Sequence, residues 1–457
     1  MAKKIYATRS SAITPREIAN MALSRSLAGE CVVLLENDGT LPLEGKGPLA
    51  LFGNGARQTI RGGTGSGDVN TRSDVNIEKG LEEAGFTVTT KAWLDRQDAA
   101  HEQAKKDHAA WIVEEAKRQN TSEFAVGFSH PFQVIAPTGI TKEDLRAAEG
   151  DLAVYVISRT AGEGADRWNR RGDYLLFEEE LEQLRLLAGL YKKLVLVLNL
   201  GGVIDMSEIL SVEGVNSVVL MGQLGNIGGQ VLGDVLTGKV NPSGKLTDTW
   251  AKRYEDYPSS ANYSHNNGNV DDEYYTDGIY VGYRYFDTFG VEPIYPFGFG
   301  RSYTSFEIVP GAARLDGETV SIDVTVRNTG IMTGKEVVQL YASAPTFELP
   351  KPRQELICFA KTDLIAPGGS ETLTLSFEAR KMASYSEKKA AWLLEAGDYW
   401  VRVGSSSRST RLAAVVRLDH EAVTEKVKNL FAPDEPVDEI VPPDPALRGG
   451  FDVPVLF

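Results

Sequence analysis

Cysteine is almost missing. The 457 residues contain two, Cys31 and Cys358, far apart in the chain. Each lies in or near an apolar stretch, so both read as buried free thiols in a reducing compartment rather than as a disulfide framework. Histidine is nearly as scarce. The five (His101, His108, His130, His265 and His420) show no i,i+4 pairing and no cysteine at zinc spacing, so no metal site and no cofactor is expected. No apolar run approaches the ~20 residues of a membrane span, and the start, Met1-Ala2-Lys3-Lys4-Ile5-Tyr6, lacks the apolar core of a signal peptide. The expectation is a cytoplasmic protein. Basic residues are outnumbered, 48 Lys and Arg against 63 Asp and Glu, a net charge of -15. That disfavours nucleic acid and anionic membrane as partners and suits a neutral substrate. For Gly53-x-Gly55 the third glycine and the acidic residue about 20 positions on of a dinucleotide site do not fit well, and no Gly-Lys-Ser/Thr follows it. No Gly-x-Ser-x-Gly elbow is present either.

What is present is ordered. Thr14-Pro15-Arg16-Glu17 opens a helix with an N-cap, a first-turn proline and a capping-box glutamate; Ile18, Met21 and Ala22 begin its apolar stripe. Continuous apolar runs at 31–35, 48–52, 152–158, 194–200 and 218–221 read as buried strands. Helical periods fall between them at 76–85, 100–118, 177–188 and 227–237. Residues 120–145 read as an irregular excursion. This alternation is the pattern of a doubly wound, mostly parallel α/β sheet, assigned to 1–253. Residues 254–304, rich in Tyr, Asp, Asn and Gly, read as an extended aromatic connector. From 305 to 420 the period is two: Val320, Ile322, Val324 and Val326, then Leu373, Leu375 and Phe377, then Tyr399, Val401 and Val403. That predicts a small antiparallel β-sandwich. Residues 421–457 read as one short helix and a Pro-rich spacer.

Several strands exit into glycine-rich loops, at 53–67, 162–164, 201–202 and 222–229. In a parallel sheet those exits share one edge, where ligands bind. Glu163 stands there between Gly162 and Gly164, just after the 152–158 strand. Taken alone, a Gly-Glu-Gly is better read as a solvated turn.

The motifs together resemble glycoside hydrolase family three. They are Asn37–Leu43 (NDGTLPL), Gly62–Asn70 (GGTGSGDVN), Arg159–Arg167, Gly238–Trp250 with its NPSGKL, Gly278–Asp287 (GIYVGYRYFD), Tyr295–Phe306 (YPFGFGRSYTSF) and Gly334–Tyr341 (GKEVVQLY). All seven occur in the family's order. The wording is most similar to β-glucosidases in which an α/β sandwich and a fibronectin-III-like domain precede the (β/α)8 barrel.

The resemblance implies a retaining exo-β-glycosidase acting on a β-linked oligosaccharide or glycoside. It assigns Glu163 as general acid/base, with the nucleophile aspartate on a barrel. No barrel is legible. Ser73-Asp74 opens a helix, so Asp74 reads as its N-cap. The barrel is then a separate chain, a further domain or a lost one, and this chain is expected to be incomplete and inactive alone. A non-catalytic module binding sugar or protein is the competing reading, and a homo-oligomer is left open. Asp166 and Arg167 read as loop braces in preference to substrate contacts. Trp168 reads as a sugar platform or a packed loop aromatic, Ser66 and Asp68 as contacts to sugar hydroxyls or turn stabilisers. Arg57, Arg61 and Arg72 read as solvated arginines or bridges to the barrel.

Overall fold

A computed structural model describes residues 10–148, 150–163, 166–264, 266–269, 271–432, 435–442 and 455–456. The apolar runs form a six-stranded sheet of β1 (Val33–Asn37), β2 (Pro48–Phe52), β3 (Thr87–Val88), β4 (Leu152–Arg159), β5 (Lys193–Leu200) and β6 (Ser217–Leu220). Its order is β1-β6-β5-β4-β2-β3. All neighbours are parallel except β1, which runs antiparallel to β6. Seven of the eight residues of both β4 and β5 are buried. A strand covered on both faces needs no alternation, which explains the unbroken runs.

The helices are α1 (Pro15–Ala28), α2 (Ile77–Glu83), α3 (Lys91–Gln119), α4 (Glu123–Ser129), α5 (Lys142–Ala147), α6 (Glu178–Leu190), α7 (Ser207–Leu210), α8 (Gly228–Leu236) and α9 (Tyr283–Thr288). From β2 the chain steps outward to β3; from β3 it returns across β2 to β4 and continues to β5 and β6. Right-handed crossovers therefore put α2 on one face and α3 to α7 on the other. The direction of winding reverses between β2 and β4. A crevice opens at such a reversal, at the carboxyl ends of the two strands.

Several expectations need correction. Cys31 is exposed and Cys358 half-buried, although both are free. Helix α1 has its Thr14–Glu17 capping box but buries no residue, and Ile18 is exposed; the Arg25–Asp234 ion pair ties it to α8 at 2.6 Å. The 100–118 helix begins at Lys91. The 120–145 excursion holds α4 and α5, capped by the Ser122 and Thr141 side chains. The cap of α2 is Asn76, which accepts from the Lys79 N–H, so Asp74 lies before it. In the 254–304 connector the aromatic run forms a short helix, α9.

The period-two region folds as expected. It comprises β7 (Phe306–Asp316), β8 (Thr319–Asn328), β9 (Val337–Ser343), β10 (Glu355–Lys361), β11 (Ser370–Glu378), β12 (Ser384–Ser386), β13 (Ala391–Leu394), β14 (Gly397–Ser406) and β15 (Ser409–Leu418). Sheets β11-β8-β7 and β10-β9-β14-β15 face one another. Val320, Ile322, Val324 and Val326 on β8 meet Tyr399, Val401 and Val403 on β14 in one core. The helix expected after 421 is instead strand β16 (Ala422–Lys426), paired with β13; Val423 and Thr424 are β-branched, which favours a strand. Much of the Pro-rich spacer lies outside the described residues. Its described parts do not project freely: the Ile440 N–H bonds Thr276 O, and β17 (Val455–Leu456) pairs with β15.

The motifs between the two cores are stitching. Lys245 of NPSGKL pairs with Glu336 of GKEVVQLY at 2.7 Å, both mostly buried. Gln339 donates to Gly298 O of YPFGFG at 3.1 Å and to Ser405 O at 2.7 Å. Among the described helices none is long and apolar enough to cross a membrane.

Candidate active site

The loops leaving β2 and β4 meet at the reversal point. The Thr64 N–H bonds Ala161 O at 3.2 Å, and Thr64 forms a parallel bridge with Gly162. Across this contact the Ser66 hydroxyl donates to Glu163 Oε1 at 2.6 Å. Glu163 is exposed, and no ion pair joins it among the described residues. Gly65, at φ +75, lies directly under its carboxyl: a Cβ there would come 2.5 Å from Oε2. Gly65→Ala therefore adds left-handed strain of about 1–2 kcal/mol and displaces the carboxyl. A lowered thermal-unfolding midpoint is the expected readout; an unchanged one counts against this account.

Buried polar groups hold both loops from below. Arg159 closes β4 at 2 % side-chain exposure and pairs with the fully buried Glu180 of α6 at 2.5 Å. Its other donors reach Ser158 O at 2.8 Å and Asp173 O at 3.1 Å. Asn54, after β2, accepts from the Ser158 N–H at 2.9 Å and donates to Glu180 at 3.2 Å. Each charge and amide thus has partners where it is buried, as burial demands. Asn199 interrupts the apolar run of β5 for a similar reason. Its amide accepts from Ile60 N at 2.6 Å and donates to Ile60 O at 2.9 Å and Gly222 O at 2.6 Å, clamping the 53–67 loop. Asn199→Leu leaves those backbone groups unpaired and is expected to cost about 1–3 kcal/mol per orphaned group, read as a lower unfolding midpoint.

The remaining site residues divide cleanly. Asp166 accepts from the Tyr263 hydroxyl at 2.9 Å and from Ser264 Oγ at 2.6 Å, joining the loop to the connector. Burial, then the Asp166 carboxylate, pushes the Tyr263 phenol up to about 12. Arg167 pairs with Asp173 and donates to Val203 O at 3.3 Å. Trp168 is 41 % exposed, with the Arg170 guanidinium 5.4 Å from its ring centre and its backbone N–H donating to Asp173 Oδ2 at 2.7 Å. Asp68 is exposed and 3.4 Å from Arg61. Arg57 is neither solvated nor free: it binds Glu78, Asp95 and Asp98 at 2.6, 2.6 and 3.0 Å. Arg72 reaches Glu17 and the backbone at Ser11.

A narrow cleft beside Glu163 is bounded by Thr64, Pro131, Gln133, Asp166 and Arg167. Sequence reasoning missed Arg159, Glu180, Asn199, Asp173 and Tyr263. An arginine and an asparagine ending apolar strand runs were the available signals for two of them.

The chain matches the model of the glycosyl hydrolase family 3 C-terminal domain over residues 32–283, more than half its length. It belongs to glycosyl hydrolase family 3. A fibronectin type III-like domain model matches residues 336–407. This family 3 chain is 35% identical to beta-glucosidase A of Butyrivibrio fibrisolvens over 91% of its own length and 53% of that protein's. With a beta-glucosidase of Ruminococcus albus the identity is 36%, over 90% and 42%. It also resembles the solved beta-glucosidase 3B of Thermotoga neapolitana in complex with glucose, with a TM-score of 0.77 at 35% identity over 90% of this chain and 55% of that one. The chain thus spans about half the length of the curated relatives it matches.

Proposed function

We propose that this chain is the acid/base half of a retaining exo-β-glycosidase, most similar to a β-glucosidase, with Glu163 as the general acid/base. The observation that carries the reading is the position of Glu163: an exposed carboxyl on the β4 exit loop, held by Ser66 from the β2 exit loop at the winding reversal. In a retaining mechanism one carboxylate attacks the anomeric carbon. The other protonates the departing oxygen and then deprotonates the incoming water. The two carboxyls stand about 5–5.5 Å apart. The nucleophile comes from a (β/α)8 barrel, in another chain or another part of a longer one, seated over this edge. The substrate is a terminal β-linked sugar.

Asp166 and Arg167 position the loop, since each is already engaged by the connector or by Asp173. Ser66 positions the carboxyl. Trp168 keeps an exposed face for substrate, and Asp68 stabilises the glycine-rich loop through Arg61. Residues 1–253 act as the catalytic α/β unit, 254–304 as its aromatic connector and 305–420 as the fibronectin-like unit. The test is complementation with a family 3 barrel: hydrolysis of a β-glucoside should need both halves and Glu163. Activity from the barrel alone, unchanged on adding this chain, refutes it.

A further inference from the structure

Helix α3 buries Trp93, Leu94, Gln97 and His101 in its first half and only Ala116 beyond them, so its outer half stands clear of the core. Helix α4 packs back along it, and residues 131–135 then return beside the acid/base loop. Their side chains alternate, as in any extended chain. Pro131 and Gln133 wall the Glu163 cleft. Phe132 and Val134 line a different cavity of about 330 Å³, opposite His101 and Lys105 of α3. The far end of this return is pinned: Asn54 donates to Ile135 O at 3.2 Å, and the Thr138 N–H to Gln97 at 2.7 Å. At the near end the His130 N–H bonds Val126 O at 2.9 Å. Between these points no backbone hydrogen bond joins residues 131–134 to another element among the described residues.

One ring fixes the stretch instead. Phe132 packs edge-on to His101 at 5.3 Å and to His108 at 5.5 Å between ring centres. His101 is 8 % exposed, and no hydrogen bond reaches its ring among the described residues. Burial holds its imidazole below the usual range; Lys105, one turn on, acts the same way, while Glu102 and Asp98 oppose it. Neither carboxylate is free for an imidazolium. Asp98 binds Arg57 at 3.0 Å and Gln58 at 2.9 Å, and Glu102 lies 3.8 Å from Lys105. Across the cavity the charges are Arg57, Arg61, Asp68 and Asp74, with Asp68 3.4 Å from Arg61. Residues 131–135 bring no charge, and the His130 ring packs on Trp111. A proton on His101 is therefore best served by water. Water reaches that ring when Phe132 swings away.

We propose that His101 and Phe132 form an acid-released latch: neutral His101 holds Phe132, and with it the Pro131–Gln133 wall of the Glu163 cleft, and protonated His101 lets that wall go. Imidazole is the side chain suited to this, since its charge changes between about pH 5 and 8. Release moves a stretch with no backbone bonds to break and leaves the Arg159–Glu180 pair beneath the loop intact. That the latch regulates catalysis rests on the acid/base reading of Glu163; the latch itself does not.

The latch can be read on the 457-residue chain itself, without turnover. With 4-fluorophenylalanine in place of Phe132, the fluorine resonance should move toward its solvent-exposed position between about pH 7.5 and about pH 5, in step with titration of the His101 ring. His101→Phe keeps a ring that takes no proton and should leave the resonance fixed; His101→Leu does the same if that variant fails to fold. Linkage gives a second measure. The His101 imidazole is lowered in the folded chain, so the unfolded chain takes the proton first as pH falls. The stability from its burial is fully present above ~6.5 and is lost below that. The unfolding midpoint of the native chain should therefore drop further over this range than that of His101→Phe. A resonance that stays fixed in the native chain, or moves equally in the variants, overturns the proposal. Equal drops in the two midpoints overturn it as well. A fixed resonance leaves the Glu163 tests standing, and a failed acid/base test leaves the fluorine measurement unchanged.

Discussion

Glu163→Gln, in an enzyme completed by a barrel, should cost about 10²–10⁴-fold in kcat/KM on an alkyl β-glucoside and far less on a dinitrophenyl β-glucoside. The split follows from the leaving group. An alkoxide is a poor one and needs its proton in the transition state; a dinitrophenolate departs without help. The amide keeps the size of the side chain and an oxygen that accepts from Ser66, whose hydroxyl lies 2.6 Å from Oε1 in the native chain, so the loop stays in place while the transferable proton is gone. The second half of the reaction gives an independent readout. In Glu163→Ala, water attacks the glycosyl intermediate without a base and that step slows. Azide needs no deprotonation, so adding it should restore turnover of the activated substrate and give the β-glycosyl azide. Equal losses on both substrates, or no response to azide, would remove Glu163 from the role.

Arg159→Met should be the most destabilising single change near the site, by about 3–5 kcal/mol. It leaves Glu180 at 0 % exposure with its cationic partner gone. It also deprives Asp173 O and Ser158 O of donors. At roughly 2–4 °C per kcal/mol, the α/β unit should melt on the order of 10 °C lower. The double change Arg159→Met with Glu180→Leu should recover part of this, because neither charge is then stranded. Recovery stays partial, since Asn54 and the Phe177 N–H both donate to Glu180. Calorimetry of the three proteins decides it: a single variant as stable as the native chain, or a double no better than the single, contradicts the account. The site depends on this pair, because β4 ends at Arg159 and Glu163 stands four residues beyond.

The central strands of both cores were legible because burial writes itself into composition. The unbroken runs of β4 and β5 and the alternation of β8 each match how many faces are covered. The elements misread were those whose signal is local and weak. Residues 422–426 carry only five residues of pattern, and β13 decides their state by offering a free edge. Asp74 and Asn76 are both good N-caps; the position of Ile77 under Thr59, whose hydroxyl accepts its N–H at 3.0 Å, selects Asn76. Arg57 was read as solvated or as a bridge to the barrel because its partners Glu78, Asp95 and Asp98 are 21 to 41 residues away.

By itself the sequence determined the two cores and the parallel strands with their exits on one edge, and its family resemblance singled out the glycine-flanked Glu163. Periodicity and motif order are properties of neighbours along the chain and need no third dimension. Only the tertiary structure decided that the β2 and β4 exits lie side by side, that Ser66 holds Glu163 from across that junction, and that the connector returns to Asp166. Those facts join residues about 100 positions apart, 97 in the case of Ser66 and Glu163. Such contacts are set by the order in which strands pair, and strand order is a property of the packed sheet.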